Sequence, residues 1–236
     1  MLIVLSGTIG AGKTSLTTLL SEALGTEPFY ESVADNPILP LFYKDPKQYG
    51  FLLQIYFLNK RFDSIKQAMS NDNNVLDRSI YEDELFTKLN ADMGRITQQE
   101  FDVYQALLHN MMQEIGMVSN YKKAPDLLIH IDLSLEEQMR RIKKRGRDYE
   151  QTKVDPTLKD YYQNLHNRYI DWYDNYDYSP KMKIDGDKYD FVENTKDRFT
   201  VLNMITEKLF ELGKIDVAER VNIPLLQGTK DWISQA

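Results

Sequence analysis

The 236-residue chain contains no cysteine. This absence excludes a disulfide framework and thiol catalysis, and it suits the reducing cytoplasm, where we expect the protein to act. The chain also lacks the run of about 18 to 20 apolar residues that a membrane-spanning helix needs. Its opening, MLIVLSG, has no basic start and too short an apolar stretch for a signal peptide. We therefore expect no membrane partner.

Positive charge is also scarce. The sequence has 29 lysines and arginines against 36 aspartates and glutamates, a net charge of −7. Because such a surface repels a phosphate backbone, we expect no nucleic acid partner, and any phosphate site must be local. Hydrophobic residues make up 42% of the chain and charged residues 28%, which indicates a packed core beneath a charged surface. The length fits one large α/β domain better than two small ones.

The most informative segment present is LSGTIGAGKTSL, residues 5 to 16, which completes the pattern G-x-x-x-x-G-K-[ST]. An apolar strand over 2–6 precedes it, and a helix from about 13 to 24 follows it and ends at Gly25. In this context the backbone N–H groups and the helix N-terminus bind phosphate. Lys13 is predicted to reach the β- and γ-phosphates, and the Thr14 hydroxyl to ligate Mg²⁺. The predicted ATP-binding residues of the loop are Gly7, Thr8, Ile9, Gly10, Ala11, Gly12, Lys13, Thr14 and Ser15.

Strands alternate with helices along the rest of the chain. The predicted strands cover residues 2–6, 28–32, 74–79, 125–134 and 179–187. The predicted helices cover about 13–24, 46–70, 98–119, the segment that begins at the Ser134–Glu137 capping box, 157–175 and 194–212. This alternation predicts an α/β fold, a five-stranded parallel sheet with helices on both faces. We expect one domain over 1–213, and no role is assigned to the tail over 214–236.

Three further features indicate where the phosphate goes. Glu31 ends the second strand, Asp77-Arg78-Ser79 ends the third, and RIKKRGRDYE (141–150) forms a basic helix end. Taken singly, each has a structural explanation: a surface acid, an ion pair, a solvated helix face. A switch GTPase would need N-K-x-D, which is absent. A transport or mechanical ATPase would need an apolar strand that ends in Asp and is followed by a catalytic Glu; LLIHID ends in Asp132, but Leu133 and Ser134 follow.

The order and spacing of these features resemble the deoxynucleoside kinases of the deoxycytidine and deoxyguanosine kinase type, with the bacterial deoxyadenosine kinases nearest. The resemblance covers about residues 1 to 212 and implies a P-loop kinase fold with a helical lid at about 141–150. It implies that Glu31 is the general base, that Asp77 helps to hold Mg²⁺, and that Arg78 binds near the 5′-oxygen. The other implied catalytic residues are Lys13, Arg141, Arg145 and Arg147.

The resemblance also implies the binding residues. Tyr43 lies eleven residues before Gln54, Arg61 seven after it, and Asp83 six after Asp77, as in the family. Tyr43 and Glu150 are implied to bind the sugar 3′-hydroxyl. The residues implied to face the nucleoside are Glu31, Tyr43, Gln54, Arg61, Arg78, Asp83 and Glu150. Arg141 is implied to bind ATP from the lid, and the loop DGDKYDF (185–191), with Asp187, Lys188 and Tyr189, is implied to read the adenine of ATP. The family is dimeric, so we expect a homodimer or a heterodimer with a related subunit.

The base preference stays open at this point. The Gln54 amide can pair with adenine, and Asp83 can accept a hydrogen bond from an exocyclic amine, but both also suit cytosine, and Arg61 with Asp83 suits guanine. Thr87 stands where several relatives carry a phenylalanine, with Phe86 adjacent. We predict ATP-dependent 5′-phosphorylation of deoxyadenosine, ahead of deoxyguanosine and deoxycytidine. A nucleoside monophosphate kinase and a non-catalytic nucleotide-binding module are the alternatives.

Overall fold

The computed structural model describes residues 1–31, 35–70, 73–78, 80–117 and 124–220. Its centre is a five-stranded sheet in which every pair of neighbouring strands is parallel, in the order β2-β3-β1-β4-β5. The strands are β1 (Leu2–Gly7), β2 (Glu27–Phe29), β3 (Asn74–Leu76), β4 (Leu127–Asp132) and β5 (Lys181–Asp185). The predicted parallel α/β architecture is confirmed.

Helices connect the strands. They are α1 (Lys13–Leu24), α2 (Leu39–Lys44), α3 (Pro46–Ser70), α4 (Asp83–Asp92), α5 (Gln98–Met117), α6 (Leu135–Arg145), α7 (Leu158–Asn175) and α8 (Thr195–Glu211), with 3₁₀ turns at Ile80–Glu82 and Asp148–Glu150. The predicted helices agree with these bounds to within about two residues, but α2 and α4 were not predicted. None of the described helices is long and apolar enough to cross a bilayer.

Four strands are shorter than predicted: β4 and β5 lack about two predicted residues at each end, and β2 and β3 end early. β2 ends at Phe29 and β3 at Leu76, whereas the sequence pattern extends them to residues 32 and 79. Beyond these two strands, the Asp77 N–H donates a hydrogen bond to the Phe29 carbonyl at 2.9 Å, after which both segments leave the sheet. Glu31 and Arg78 therefore lie beyond the carboxyl edge of the sheet. Residues 32, 79, 118 and 119 of the predicted elements lie outside the described residues.

Both faces of the sheet are covered, and β1 shows why its sequence is apolar throughout. Ile3 and Leu5 pack on the side of α1 and α8, while Leu2 and Val4 pack on the side of α3 and α5. All six residues of β1 are buried. A central strand of a doubly covered parallel sheet has no solvent face, so it shows no alternation of polar and apolar residues.

The position of β1 also fixes where ligands can bind. β1 is the central strand. The next two strands in the chain, β2 and β3, lie on one side of it, and the last two, β4 and β5, lie on the other, so the strand order reverses direction at β1. The carboxyl edge at such a reversal is the ligand-binding crevice of α/β proteins. The segment after β1, which carries the glycine-rich loop, therefore opens into that crevice.

The first residues of the predicted tail pack against the domain. Ile215 is buried in the core on the α1 and α8 side. Lys214 Nζ lies 2.6 Å from the Asp126 carboxylate, and Arg220 Nη2 lies 2.7 Å from Glu207 Oε2. Residues 214–220 thus adjoin α8 and the start of β4, and residues 221–236 lie outside the described part of the chain.

Candidate active site

The glycine-rich loop joins β1 to α1 in the geometry that the motif predicts. Gly7 has φ +146°, and a Cβ there would lie 2.8 Å from the Ile131 carbonyl oxygen, so this position admits only glycine. Gly12, at φ +94°, precedes α1, and no described side chain caps that helix. Its first N–H groups are therefore available to an anion.

Lys13 reaches back across the same loop. Its ammonium donates to the carbonyl oxygens of Gly7 and Thr8 at 2.8 and 3.1 Å. Burial, with a smaller contribution from the Arg78 charge, lowers the pKa of Lys13 to about 8. The Lys13 ammonium therefore lies over the loop. A phosphate bound there would replace the favourable hydration that the ammonium loses on burial.

A hydroxyl and a carboxylate meet beside the loop. Thr14 Oγ1 donates to Asp77 Oδ2 at 2.6 Å, while Asp77 Oδ1 is buried without a hydrogen-bond partner among the described residues. Burial raises the pKa of Asp77. These hard oxygen ligands fit Mg²⁺, which commonly takes one or two protein oxygens and completes its shell with phosphate and water. Among the described residues, no group of three or more His, Cys, Asp or Glu side chains is placed to hold a metal ion.

Glu31 lies between two arginines. Its Oε1 is 2.5 Å from Arg61 Nη2 and 2.9 Å from Arg78 Nε. Burial by itself would raise the pKa of Glu31, but Arg78, then Arg61 and Lys13, outweigh it and lower that pKa to about 2. The carboxylate is therefore ionised at neutral pH. Its Oε2 accepts no hydrogen bond from the described residues, so this oxygen is free for a ligand.

Arg61 also pairs with Asp83, and this pair links α3 to α4. Gln54, seven residues before Arg61 on α3, is buried. The Thr87 hydroxyl donates to Gln54 Oε1 at 3.4 Å. Phe86 lines the cleft, whereas Thr87 is fully buried behind Gln54. Phe86, not Thr87, therefore forms this part of the cleft wall.

The predicted lid arginines divide into two groups. Arg141 donates to the Ala11 carbonyl at 3.1 Å and to the Gly186 carbonyl at 2.6 Å, so it joins the phosphate loop to the turn after β5. Arg145 and Arg147 instead both pair with Glu150, the latter at 3.3 Å. α6, which carries Arg141 and Arg145, begins after Ser134, whose hydroxyl accepts from the Glu137 N–H as predicted. The second half of the predicted capping box does not form, because the Ser134 N–H donates to Asp187 and the Glu137 carboxylate pairs with arginines of its own helix.

The sugar-binding residues implied by the resemblance are close together. Glu150 is buried, and the hydroxyl of Tyr162 donates to its backbone carbonyl at 2.9 Å. Tyr43, on α2, packs its ring 5.0 Å from that of Tyr149, next to Glu150. Burial raises the pKa of Tyr43 well above its ordinary value, so its hydroxyl keeps its proton.

These groups line one cleft of about 720 Å³. The predicted residues on its wall are Ile9 to Ser15, Glu31, Tyr43, Gln54, Arg61, Asp77, Arg78, Arg141, Arg145, Arg147 and Glu150. Gly7, Thr8 and Asp83 lie behind that wall. Asp187, Lys188 and Tyr189 do not line it either; Asp190, Val192 and Glu193 do. Asp187 accepts from the Ser134 N–H at 2.9 Å, so it fastens the β4–α6 turn, and its predicted contact with ATP stays a prediction.

Two residues that the sequence did not indicate hold Arg78. Its Nη1 donates to Glu82 Oε1 at 3.1 Å and to the Tyr169 hydroxyl at 2.8 Å. The four-residue spacing from Arg78 to Glu82 is a signal that could have been noticed. Tyr169 lies 91 residues away and matches only the packing pattern of a helix face.

Comparison with known proteins agrees with this geometry. The family model for deoxynucleoside kinase matches residues 3–211. The deoxyguanosine kinase of Lactobacillus acidophilus (strain ATCC 700396 / NCK56 / N2 / NCFM) is 63% identical over 213 residues, 90% of this chain and 92% of that protein. The deoxyadenosine kinase of the same strain is 54% identical over 213 residues, 90% of this chain and 98% of that protein.

A solved structure gives the same result. The deoxyadenosine kinase from M. mycoides with bound dATP matches with a TM-score of 0.72 at 30% identity, covering 87% of this chain and 99% of that one. The family match extends over nearly all of the sheet, its helices and the cleft. By its sequence, its sheet order and its phosphate loop, this chain belongs to the deoxynucleoside kinase family.

Proposed function

We propose that the protein transfers the γ-phosphoryl group of ATP to the 5′-hydroxyl of a purine deoxynucleoside, with deoxyguanosine preferred over deoxyadenosine. The observation that carries the reaction is that a phosphate loop and the Glu31–Arg78 pair share one cleft. Its volume of about 720 Å³ is within the range of small-molecule sites and large enough for a nucleoside next to the donor phosphates.

The base preference that we propose differs from the order predicted from the sequence. Two kinases from a single bacterial strain allow a direct comparison, and this chain shares 63% identity with the deoxyguanosine kinase against 54% with the deoxyadenosine kinase. The chemistry of Arg61 supports the same order. Guanine presents two adjacent acceptors, O6 and N7, to a guanidinium, whereas adenine replaces O6 by an amine, which would oppose one donor with another.

In the proposed reaction Glu31 Oε2 accepts the proton of the 5′-hydroxyl. The 5′-oxygen forms a bond to the γ-phosphorus as the bond from that phosphorus to the β–γ bridging oxygen breaks, and ADP leaves. With a pKa of about 2, Glu31 is a weak base, so the proton moves late, once the forming P–O bond has made the hydroxyl acidic. The arginines on Oε1 keep the carboxylate oriented meanwhile.

Positive groups from three elements surround the transferred phosphoryl group. Lys13 comes from the loop and Arg78 from the end of β3, and the 141–147 segment contributes three arginines. Fixed charges of this kind act mainly by stabilising the charge that spreads over the phosphoryl oxygens. Thr14 and Asp77 would hold Mg²⁺, which, when bound, neutralises part of the negative charge of the β- and γ-phosphates.

A phosphoryl-transfer assay with ATP and Mg²⁺ tests the proposal. Deoxyguanosine, deoxyadenosine, deoxycytidine, thymidine and deoxyguanosine monophosphate are offered separately, and kcat/KM is measured for each. We expect deoxyguanosine to rank first and deoxyadenosine second. In an Arg61→Gln variant we expect the ratio of the two purines to fall toward one, while Lys60→Gln, at an exposed neighbour on α3, leaves it unchanged.

The possible outcomes separate the alternatives. Turnover of the monophosphate alone would identify a nucleoside monophosphate kinase, although Glu31 would repel a phosphate on the acceptor. ATP binding without any turnover would identify a non-catalytic module. A first rank for deoxyadenosine would restore the order predicted from the sequence. The dimer stays a prediction, which sedimentation velocity tests directly.

A further inference from the structure

Glu82 and Tyr169, two of the groups that hold Arg78, belong to no motif identified from the sequence. Arg78 Nη1 donates to Glu82 Oε1 at 3.1 Å and to the Tyr169 hydroxyl at 2.8 Å, and Arg78 Nε lies 2.9 Å from Glu31 Oε1. The Phe86 ring centroid lies 4.7 Å from the guanidinium carbon, so one face of the group is also covered. The side chain is 5% exposed.

The hydrogens of the guanidinium show which part remains available. An arginine carries five N–H donors, two on each Nη and one on Nε. Glu82 and Tyr169 take both hydrogens of Nη1, and Nε faces Glu31. Nη2 has no acceptor among the described residues, and Arg78 lines the cleft that also contains the phosphate loop.

Burying the carboxylate of Glu82 carries a desolvation cost, which the contact with Arg78 helps to offset. Glu82 has no exposed surface, and its Oε2 is buried without a hydrogen-bond partner in the described part of the chain. Burial raises its pKa, while the charges of Arg78, Lys13 and Arg61 oppose that rise. An apolar residue of similar volume would avoid the desolvation cost of a buried carboxylate. The ion pair with Arg78 is an interaction that such an apolar residue could not make.

We propose that Glu82 and Tyr169 are positioning residues, which fix the guanidinium of Arg78 so that Nη2 faces the phosphoryl group in transfer. The inference rests on the proposed function, because it assigns a target to Nη2. Tyr169 is itself packed among aromatic rings of α7 and β4, with the His130 ring centroid 5.8 Å away, so the hydroxyl cannot swing aside. A guanidinium that needs no reorganisation stabilises the transition state more than the ground state.

The test uses two conservative variants and a matched control. Glu82→Gln keeps the shape but loses the charge, and Tyr169→Phe loses only the hydroxyl. Tyr176→Phe is the control, because Tyr176 is also a buried tyrosine, hydrogen-bonded to Ser179 at 2.8 Å. We expect kcat to fall about 10- to 100-fold for Glu82→Gln and about 3- to 10-fold for Tyr169→Phe, in line with lost hydrogen bonds to a charged group. KM for ATP and nucleoside should change less than about threefold.

A binding measurement separates positioning from a merely structural role. The affinity for a mimic of the transferring phosphoryl group, ADP with aluminium fluoride and the nucleoside, should fall by the same factor as kcat, while the affinity for ADP alone stays constant. Unchanged kcat in both variants, or an equal loss of affinity for ADP alone, would overturn the inference. If Glu82→Gln does not fold, Tyr169→Phe decides by itself.

The wild-type protein in the same assay keeps the two proposals apart. If it phosphorylates no deoxynucleoside, the proposed function fails, whatever the variants do. If it does so and neither variant loses kcat, the function stands and the positioning role fails.

Discussion

Two opposing requirements meet at Glu31: the basicity that a general base needs, and the ion pairs with arginines that fix its position. A general base benefits from a pKa near the working pH, yet the pKa of Glu31 is lowered to about 2 by Arg78, Arg61 and Lys13 against the effect of burial. In the proposed reaction the same positive groups would attract the phosphates, and Arg61 and Arg78 hold Glu31 in place. The site therefore favours charge stabilisation and fixed geometry over basicity, as expected for phosphoryl transfer.

The role of Glu31 can be tested by Glu31→Gln. We expect kcat to fall about 10²- to 10⁴-fold, since the amide cannot accept the proton, while ATP still binds because the loop is untouched. Steady-state kinetics with a parallel calorimetric titration of ATP measures both quantities. Glu27→Gln, at an exposed acid of β2, is the control and should behave as wild type. Near-normal turnover in Glu31→Gln would remove Glu31 from its catalytic role.

Among the elements, the turn after β5 depends on close packing. The Gly186 N–H donates to the Asp132 carbonyl at 2.8 Å, and the Gly186 carbonyl accepts from Arg141. A Cβ on Gly186 would lie 2.5 Å from a methyl carbon of Leu133 and 3.0 Å from the Asp132 carbonyl oxygen. The turn therefore brings α6, the sheet edge and the cleft wall over 190–193 together only if this position has no side chain.

Gly186→Ala should displace that turn. We expect the protein to lose about 1–3 kcal/mol of unfolding free energy through overpacking, and KM for ATP to rise several-fold because Arg141 loses an acceptor. Urea unfolding and ATP-dependent kinetics measure the two effects. Gly94→Ala is the control for backbone strain alone, since a Cβ there meets nothing within 4 Å although φ is +67°. We expect it to lose stability but to leave KM for ATP unchanged. An equal rise of KM for ATP in the two variants would argue against the steric explanation.

For the whole molecule, the feature with the widest consequence is a histidine in the middle of the sheet. His130, on β4, is buried beside Ser6, whose Oγ lies 3.0 Å from its Nδ1, and its ring stacks on Tyr173. Burial, and then the charge of Lys183, lower the pKa of His130 to about 3. The folded protein thus keeps this ring neutral in acid, whereas the unfolded chain protonates it near pH 6.5.

This difference makes stability depend on pH. Because the folded pKa lies below the unfolded one, the contribution is complete above about pH 6.5 and is lost as the pH falls toward 3. Between pH 7 and pH 5 we expect the wild-type protein to lose about 2 kcal/mol more unfolding free energy than His130→Gln. Urea unfolding at the two pH values gives the comparison. His109→Gln, at an exposed histidine of α5, is the control: its unfolding free energy should fall between pH 7 and pH 5 by as much as that of the wild type. Parallel slopes in wild type and His130→Gln would contradict the assignment.

How far the sequence was sufficient depends on the range of the interactions. The strand–loop–helix arrangement at the glycine-rich loop, the apolar run of β1 and the Ser134 half of the predicted cap are local patterns, and the structure confirms each of them. α2 was missed because its six residues are too few to show a helical period, and α4, ten residues long, directly follows a 3₁₀ turn. Their positions are decided by packing against α3 rather than by their own pattern.

Sequence by itself determined the fold class and the family, and it predicted the groups that would meet phosphate, because each depends on residues close together in the chain or on spacings along it. Tertiary structure alone decided that Phe86 rather than Thr87 forms the cleft wall and that Arg141 bridges the loop and Gly186. It alone brought Tyr169 to Arg78 across 91 residues. The physical reason is that burial and hydrogen bonding depend on distances in space, and helical or strand periodicity does not encode which helix lies beside which side chain.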